Sequence, residues 1–237
     1  MRFIQKTLAL VGLTLSLGLV AASASASPAN PAAGAEYTVL DNPQPTEPGK
    51  KVEVIEFFGY FCPHCNALEP TLESWVAKQG DKITFKRVPV AFDPRSIPEQ
   101  KLYYTLEAMG QLGKMHQKVF NAIHIQRQRF DKDDAIIDFA VKQGLDKAKF
   151  VDTYGSFGVQ TKVTQVAKLQ EYYKIDGVPT IVIDGRFVTS PSIVGKTAGA
   201  GKTEPELFKS TMQVMDSLVT KVAAEKAKTA VAPVAKK

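Results

Sequence analysis

The chain has 237 residues, 44% of them hydrophobic and 23% charged, with two cysteines and a formal net charge of +6. That length buries an ample core without cross-links, which excludes a disulfide-stapled mini-protein. The charge is unevenly placed: Arg2 and Lys6 carry +2, the lysines from Lys221 onward net against Glu225 carry +4, and residues 27–220 are neutral, so the balance gives poor support for nucleic-acid binding.

The amino-terminal residues read as an address. Arg2 and Lys6 precede an apolar stretch from Leu8 to Val20, and Ala22-Ser23-Ala24 and Ala24-Ser25-Ala26 offer small-residue cleavage sites, as in an export signal over residues 1–26. The stretch is shorter than the roughly 20 residues of a spanning helix, and no later segment is long and uncharged enough to cross a bilayer. A soluble protein outside the cytoplasm is expected. Residues 27–50, rich in Pro, Ala and Gly, read as a leader with one edge strand at Tyr37 to Leu40.

Lys51 to Phe58 alternates and then becomes continuously apolar, as in a strand buried on both faces. Cys62-Pro63-His64-Cys65 follows, and Leu68, Leu72, Trp75 and Val76 then recur at helical spacing until Gly80. The cysteine pair therefore sits where a strand hands over to a helix, with Pro63 in the first turn, where its missing N–H costs nothing. Ile83 to Val90 is a second core strand.

From residue 97 to 175 the pattern turns helical. Leu102, Leu106 and Met109 mark one helix, Met115, Val119 and Ile123 a second, Ala135 to Val141 a third and Val159 to Tyr173 a long fourth. Strand character resumes at Pro179 to Ile183, an Asp184-Gly185 turn signal, and Arg186 to Thr189. A last helix opens on the capping box Thr203-Glu204-Pro205-Glu206, and a basic, frayed tail is expected over 221–237. The order predicts an α/β unit, residues 51–96 and 176–220, split by a helical insertion at 97–175.

Two cysteines separated by two residues close too small a ring to brace a fold. A structural zinc site needs four ligands, and only these sulfurs and His64 are near, so no metal is expected. Haem attachment requires histidine after the second cysteine, where Asn66 stands. A reversible redox pair remains. At a helix start Cys62 faces unpaired N–H groups that favour its thiolate, which makes it the nucleophile and the more buried Cys65 the resolving thiol. His64 adds a donor or a positive charge beside Cys62. A low Cys62 pKa stabilises the reduced form and makes the pair an oxidant; a near-ordinary one leaves a reductase or isomerase. A peptide-binding chaperone with incidental cysteines is the reading from another class.

Glu56 to Cys65, Glu-Phe-Phe-Gly-Tyr-Phe-Cys-Pro-His-Cys, and Gly177-Val178-Pro179-Thr180 resemble the periplasmic disulfide-forming oxidase family DsbA, and the order of elements is similar across essentially the whole mature chain. The resemblance implies a thioredoxin-like fold interrupted by an inserted helical domain and a strongly oxidising cysteine pair. It implies a cis-proline loop at Val178-Pro179 beside Cys62 that offers backbone to client peptides. It also implies tuning of the cysteines by Glu56, Glu69 and Lys86, and a monomer that oxidises newly exported proteins and is recharged by a quinone-linked membrane oxidase of the DsbB type, with no cofactor beyond its own disulfide. An isomerase would need an amino-terminal dimerisation domain, for which residues 27–50 leave no room. His116 and His124, about 12 Å apart along a helix, read as surface or packing residues, and Tyr103, Tyr104, Tyr172 and Tyr173 as packing groups.

Overall fold

The computed structural model describes residues 27–47, 49–197 and 201–231. The export signal expected over residues 1–26 lies outside them.

Five strands form one mixed sheet in the order β1-β5-β4-β2-β3: β1 (Thr38–Val39), β2 (Val52–Phe58), β3 (Ile83–Pro89), β4 (Thr180–Ile183) and β5 (Phe187–Thr189). The central strand β2 is buried along its whole length, which is why its sequence loses alternation. It runs parallel to β3, in a register that sets Glu56 opposite Arg87, and antiparallel to β4, with Val54 opposite Ile183. At the turn between β4 and β5, Asp184 and Gly185 both have positive φ (52° and 65°), as a tight hairpin demands. A Cβ on Gly185 would also stand 2.4 Å from the Gln44 carbonyl oxygen.

The period-2 side-chain geometry of the strands divides the core in two. Ile55, Phe57 and Val182 point to one face and pack against Leu102, Leu106, Val119 and Phe120. Val52, Val54, Ile181 and Ile183 point to the other and meet Leu68, Leu72, Trp75, Met212, Met215 and Leu218. The second face is covered by α1 (Pro63–Gln79) and the long α8 (Glu204–Val231). The first lies against the helices that intervene between β3 and β4: α2 (Ile97–Ala108), α3 (Leu112–His124), α4 (Asp133–Lys142), α5 (Lys147–Tyr154) and α6 (Phe157–Tyr172). A short α7 (Pro191–Thr197) follows β5.

Three elements depart from the sequence reading: α5, the end of α8, and α7, which was not expected between β5 and the last helix. α5 was not expected because only Phe150 and Tyr154 along its eight residues are buried, too few to register as periodicity; Asp146 caps it by accepting from the Lys149 N–H. The frayed tail expected over 221–237 is corrected over residues 221–231, since α8 continues to Val231. Val222 is fully buried against the sheet, Lys226 donates to the Lys51 carbonyl at 3.0 Å and Glu225 pairs with Arg186. The charged ends thus span a solvated face while one apolar side chain anchors the turn.

Truncation after Thr220 is expected to cost about 2 kcal/mol through loss of Val222 and its neighbouring contacts, lowering the melting temperature by several degrees. An unchanged melting curve would show that this stretch does not pack.

Candidate functional site

β2 ends at Phe58, and the chain turns through Gly59 to Phe61 before α1 begins. A Cβ at Gly59 would stand 2.3 Å from the Phe61 ring, which would have to move aside. The Cys62 N–H donates to the Gly59 carbonyl at 3.0 Å, which closes the turn and presents Cys62 as the N-cap of α1 in extended conformation (φ −84°, ψ 117°). Pro63 occupies the first helical turn. The N-cap position is where a side chain meets the orphan N–H groups of a helix. Here the acceptor is sulfur: the Cys65 N–H donates to Cys62 Sγ at 3.4 Å.

Both cysteines are free thiols, 6% exposed at Cys62 and 0% at Cys65. The Cys62 pKa is lowered to about 6, first by the hydrogen bond from the Cys65 side chain, then by the backbone N–H groups of Cys65 and His64 and the charge of His64, all against the opposing effect of burial. Burial pushes the Cys65 thiol well up, and the neighbouring Cys62 adds to that. The two sulfurs thus divide into one that favours the anion and one that keeps its proton. The His64 side chain is exposed; its Nδ1 pairs with Glu204 at the start of α8, and that carboxylate raises the imidazole pKa.

Across from the pair, the Val178–Pro179 peptide bond is cis, and the Cys62 thiol donates to the Val178 carbonyl at 3.4 Å. A cleft of about 930 Å³ opens beside this loop, with His64, Pro179, Leu40, Ile193, Leu207 and Glu204 among its walls. Its size and apolar lining suit an extended peptide or a partner segment.

Beneath the cysteines lies a buried charge cluster. Glu56 on β2 and Glu69 on α1 are each 1% exposed and share Arg87 on β3, whose Nε donates to Glu56 at 3.1 Å and whose Nη2 reaches Glu69. Burial is the main cause that raises Glu56 to about 8, with Glu69 adding to it and Arg87 opposing it. Glu69 is held below the usual carboxylate range despite its burial, by His116 and Arg87.

Lys86 is not part of this cluster. It projects from the other face of β3 and donates to Glu53 at 2.7 Å, its side chain 44% exposed. The physical reason is the parity of the strand: the residue opposite Glu56 is Arg87, so the cation on the Glu56 face is Arg87 and Lys86 lies one step out of phase. The register of β2 against β3 carries that information, and no single-strand pattern does. Tyr60 and His116 were also missed as participants. Both are buried, with Tyr60 Oη 2.8 Å from His116 Nδ1 and His116 Nε2 3.5 Å from Glu69 Oε2, whereas His124 donates to the Tyr60 carbonyl at 2.8 Å. Among the described residues no group of three or more His, Cys, Asp or Glu could hold a metal ion.

Residues 95–213 match the model of the DSBA-like thioredoxin domain. The thiol:disulfide interchange protein DsbA of Burkholderia cepacia is 49% identical over 211 residues, covering 89% of this chain and 94% of that one. The chain belongs to the DsbA family. The DsbA of Bordetella parapertussis is 41% identical over 82% of this chain and 93% of its own length. The crystal structure of Pseudomonas aeruginosa DsbA superposes with a TM-score of 0.73 at 34% identity, covering 82% of this chain and 95% of that one. The fold is that of a DsbA, and the activity that goes with it is thiol:disulfide oxidoreduction of proteins. No helix among the described residues is long and apolar enough to cross a membrane.

Arg87→Met is expected to destabilise the protein by about 3–5 kcal/mol, because it strands two buried carboxylates. Lys86→Met, at a half-exposed pair, should cost about 1 kcal/mol or less in the same denaturant titration. Equal losses at the two positions would contradict the assignment of the cation.

Proposed function

We propose that the chain is a dithiol oxidase of the periplasm that donates its Cys62–Cys65 disulfide to newly exported proteins. The observation that carries this reading is the seat of Cys62 at the N-cap of α1, where its thiolate is favoured, directly across from the Val178–Pro179 loop.

The steps follow from the two sulfurs. A client thiolate attacks Cys62 Sγ, the Cys62–Cys65 bond breaks, and Cys65 leaves and takes a proton, which its raised pKa retains. The product is a mixed disulfide between client and Cys62. A second client thiolate then attacks the client's own sulfur in that bond, and Cys62 leaves as a stable thiolate. Two electrons pass from client to enzyme. Of the two client protons, one ends on Cys65 and the other is released while Cys62 stays ionised. In this reading Pro63 starts the helix that stabilises the leaving thiolate, and His64, whose cationic form Glu204 favours, adds positive charge near it. The backbone at Val178 and Pro179 aligns the client, and the cleft beside it holds a flanking segment. Glu56 and Glu69 tune the pair through Arg87.

The redox disulfide is the only redox group the cycle needs. The reduced enzyme is returned to the oxidised state by a quinone-linked membrane oxidase of the DsbB type, which requires the same access to Cys62 that clients use. The reading includes a soluble monomer freed of residues 1–26, with unfolded or folding proteins as clients and no nucleic-acid partner. Residues 51–96 and 176–220 carry the chemistry, and 97–175 form a separate helical domain on the first face of the sheet.

Cys65→Ser is expected to accumulate mixed disulfides through Cys62 in cells, visible as reducible adducts on gels. Trapping through Cys65 in the reciprocal variant alone would reverse the two roles. In vitro, thiolate absorbance of the reduced protein should titrate near pH 6, and the titration should vanish in Cys62→Ser. A midpoint near the ordinary ~8.5, together with a strongly reducing potential, would make the protein a reductase.

A further inference from the structure

Two carboxylates, Glu56 and Glu69, share the single guanidinium of Arg87 in a site closed to water. Burying both as anions with one cation is costly, so one proton resides on the pair. Which carboxylate holds it matters to the sulfurs. Charge on Glu56 bears on both Cys62 and Cys65. A charged Glu56 therefore opposes the Cys62 thiolate, and a neutral Glu56 does not.

His116 on α3 stands at the other end of the cluster. Its ring is walled by Phe58, Tyr60, Tyr103 and Phe120, with centroids 5.1–6.2 Å away. The buried Tyr60 phenol keeps its proton, since burial pushes its pKa well up, and at 2.8 Å its hydroxyl is placed to donate to His116 Nδ1 in the tautomer that leaves that nitrogen unprotonated. In that tautomer the ring hydrogen is on Nε2, 3.5 Å from Glu69 Oε2. Both atoms are buried without a hydrogen-bond partner among the described residues, and they face each other across that 3.5 Å gap. The other titratable groups facing the ring are Glu73 one turn along α1, Arg87 on β3, Tyr103 on α2 and, across Phe120, His124 on α3 itself.

We propose that His116 is a positioning residue of the redox centre: aligned by the Tyr60 hydroxyl, its Nε2–H fixes the buried negative charge on Glu69, which leaves Glu56 to hold the shared proton beneath the cysteines. This rests on the redox reading of Cys62 and Cys65 and extends it to a side chain on the helical insertion. The directions of the two carboxyl pKa values agree, Glu56 going up and Glu69 down. Without the Nε2–H, Glu69 loses a donor, the proton moves from Glu56 to Glu69, and the negative charge shifts to Glu56. The Cys62 thiolate is then destabilised and the pair becomes less oxidising.

The test is the full-length reduced protein carrying His116→Phe, which keeps an aromatic ring but no donor, beside His116→Gln, which keeps an N–H. The readouts are the thiolate titration of Cys62 and the equilibrium constant against glutathione. His116→Phe should raise the Cys62 midpoint by about one unit and shift the equilibrium roughly tenfold toward the disulfide form, with His116→Gln lying closer to the wild type. Should His116→Phe not fold, Tyr60→Phe, which removes the hydroxyl that sets the tautomer, must move both readouts in the same direction. Glu69→Gln also forces the charge onto Glu56, so adding His116→Phe to it should produce no further shift. Unchanged titration and equilibrium in a folded His116→Phe or Tyr60→Phe protein, while the wild type exchanges normally, would overturn the proposal. A wild type whose Cys62 titrates as an ordinary thiol would instead overturn the underlying reading of the pair.

Discussion

Everything at this site depends on one placement: a sulfur in the N-cap position of α1, where backbone N–H groups have no partner within the helix. Such a position ordinarily takes an oxygen side chain, and the same unpaired donors that bind an aspartate there stabilise a thiolate. Cys65, one turn further on, has its own N–H engaged with the Cys62 sulfur and its side chain sealed from water. A single helix start therefore produces both an easily ionised sulfur and one that holds its proton. That asymmetry is what separates a nucleophile that leaves readily from a resolving thiol.

The rest of the fold holds that helix start in place and leaves one side of it open. β2 is buried on both faces and delivers the chain to the turn at Gly59, and α1 is pinned by Leu68, Leu72 and Trp75 against the second face of the sheet. The hairpin formed by β4 and β5 sets the cis Val178–Pro179 loop opposite Cys62. Beneath, the buried carboxylates Glu56 and Glu69 share Arg87. Arg87 offsets part of their cost by hydrogen-bonding both, and the cluster links β2, β3, α1 and α3, the elements that meet under the cysteines.

Much of this was legible in the residues. The strand-to-helix handover, the strands β2 and β3 and the Asp184-Gly185 turn each rest on a local pattern strong enough to survive tertiary context. The cysteine pair was identified by elimination, because its spacing and neighbours leave little other chemistry. What was not legible depends on pairing between distant segments. Lys86 and Arg87 are adjacent cations, and only the register of β2 on β3 decides which faces Glu56. His116 looked like a packing residue because its partners, Tyr60 and Glu69, are 56 and 47 positions away in the sequence and meet it only when α3 docks on α1. The helical continuation past Lys221 was obscured by its lysines, whose charge says nothing of the buried Val222 between them.

If stabilisation of the Cys62 thiolate is what makes the pair an oxidant, the reduced protein must be the more stable one, against the usual expectation that a disulfide stabilises a fold. The most direct test is denaturant unfolding of the oxidised and reduced forms, compared from pH 8 down to pH 4. A Cys62 pKa of about 6 in the folded state, below the ordinary thiol value in the unfolded chain, contributes stability at high pH that is lost as pH falls through about 6. The reduced form should therefore unfold at higher denaturant concentration than the oxidised form at pH 7, with its advantage shrinking steadily from pH 8 to about pH 6 and levelling off below that. An oxidised form that is the more stable at pH 7, with a difference that does not depend on pH, would contradict the account.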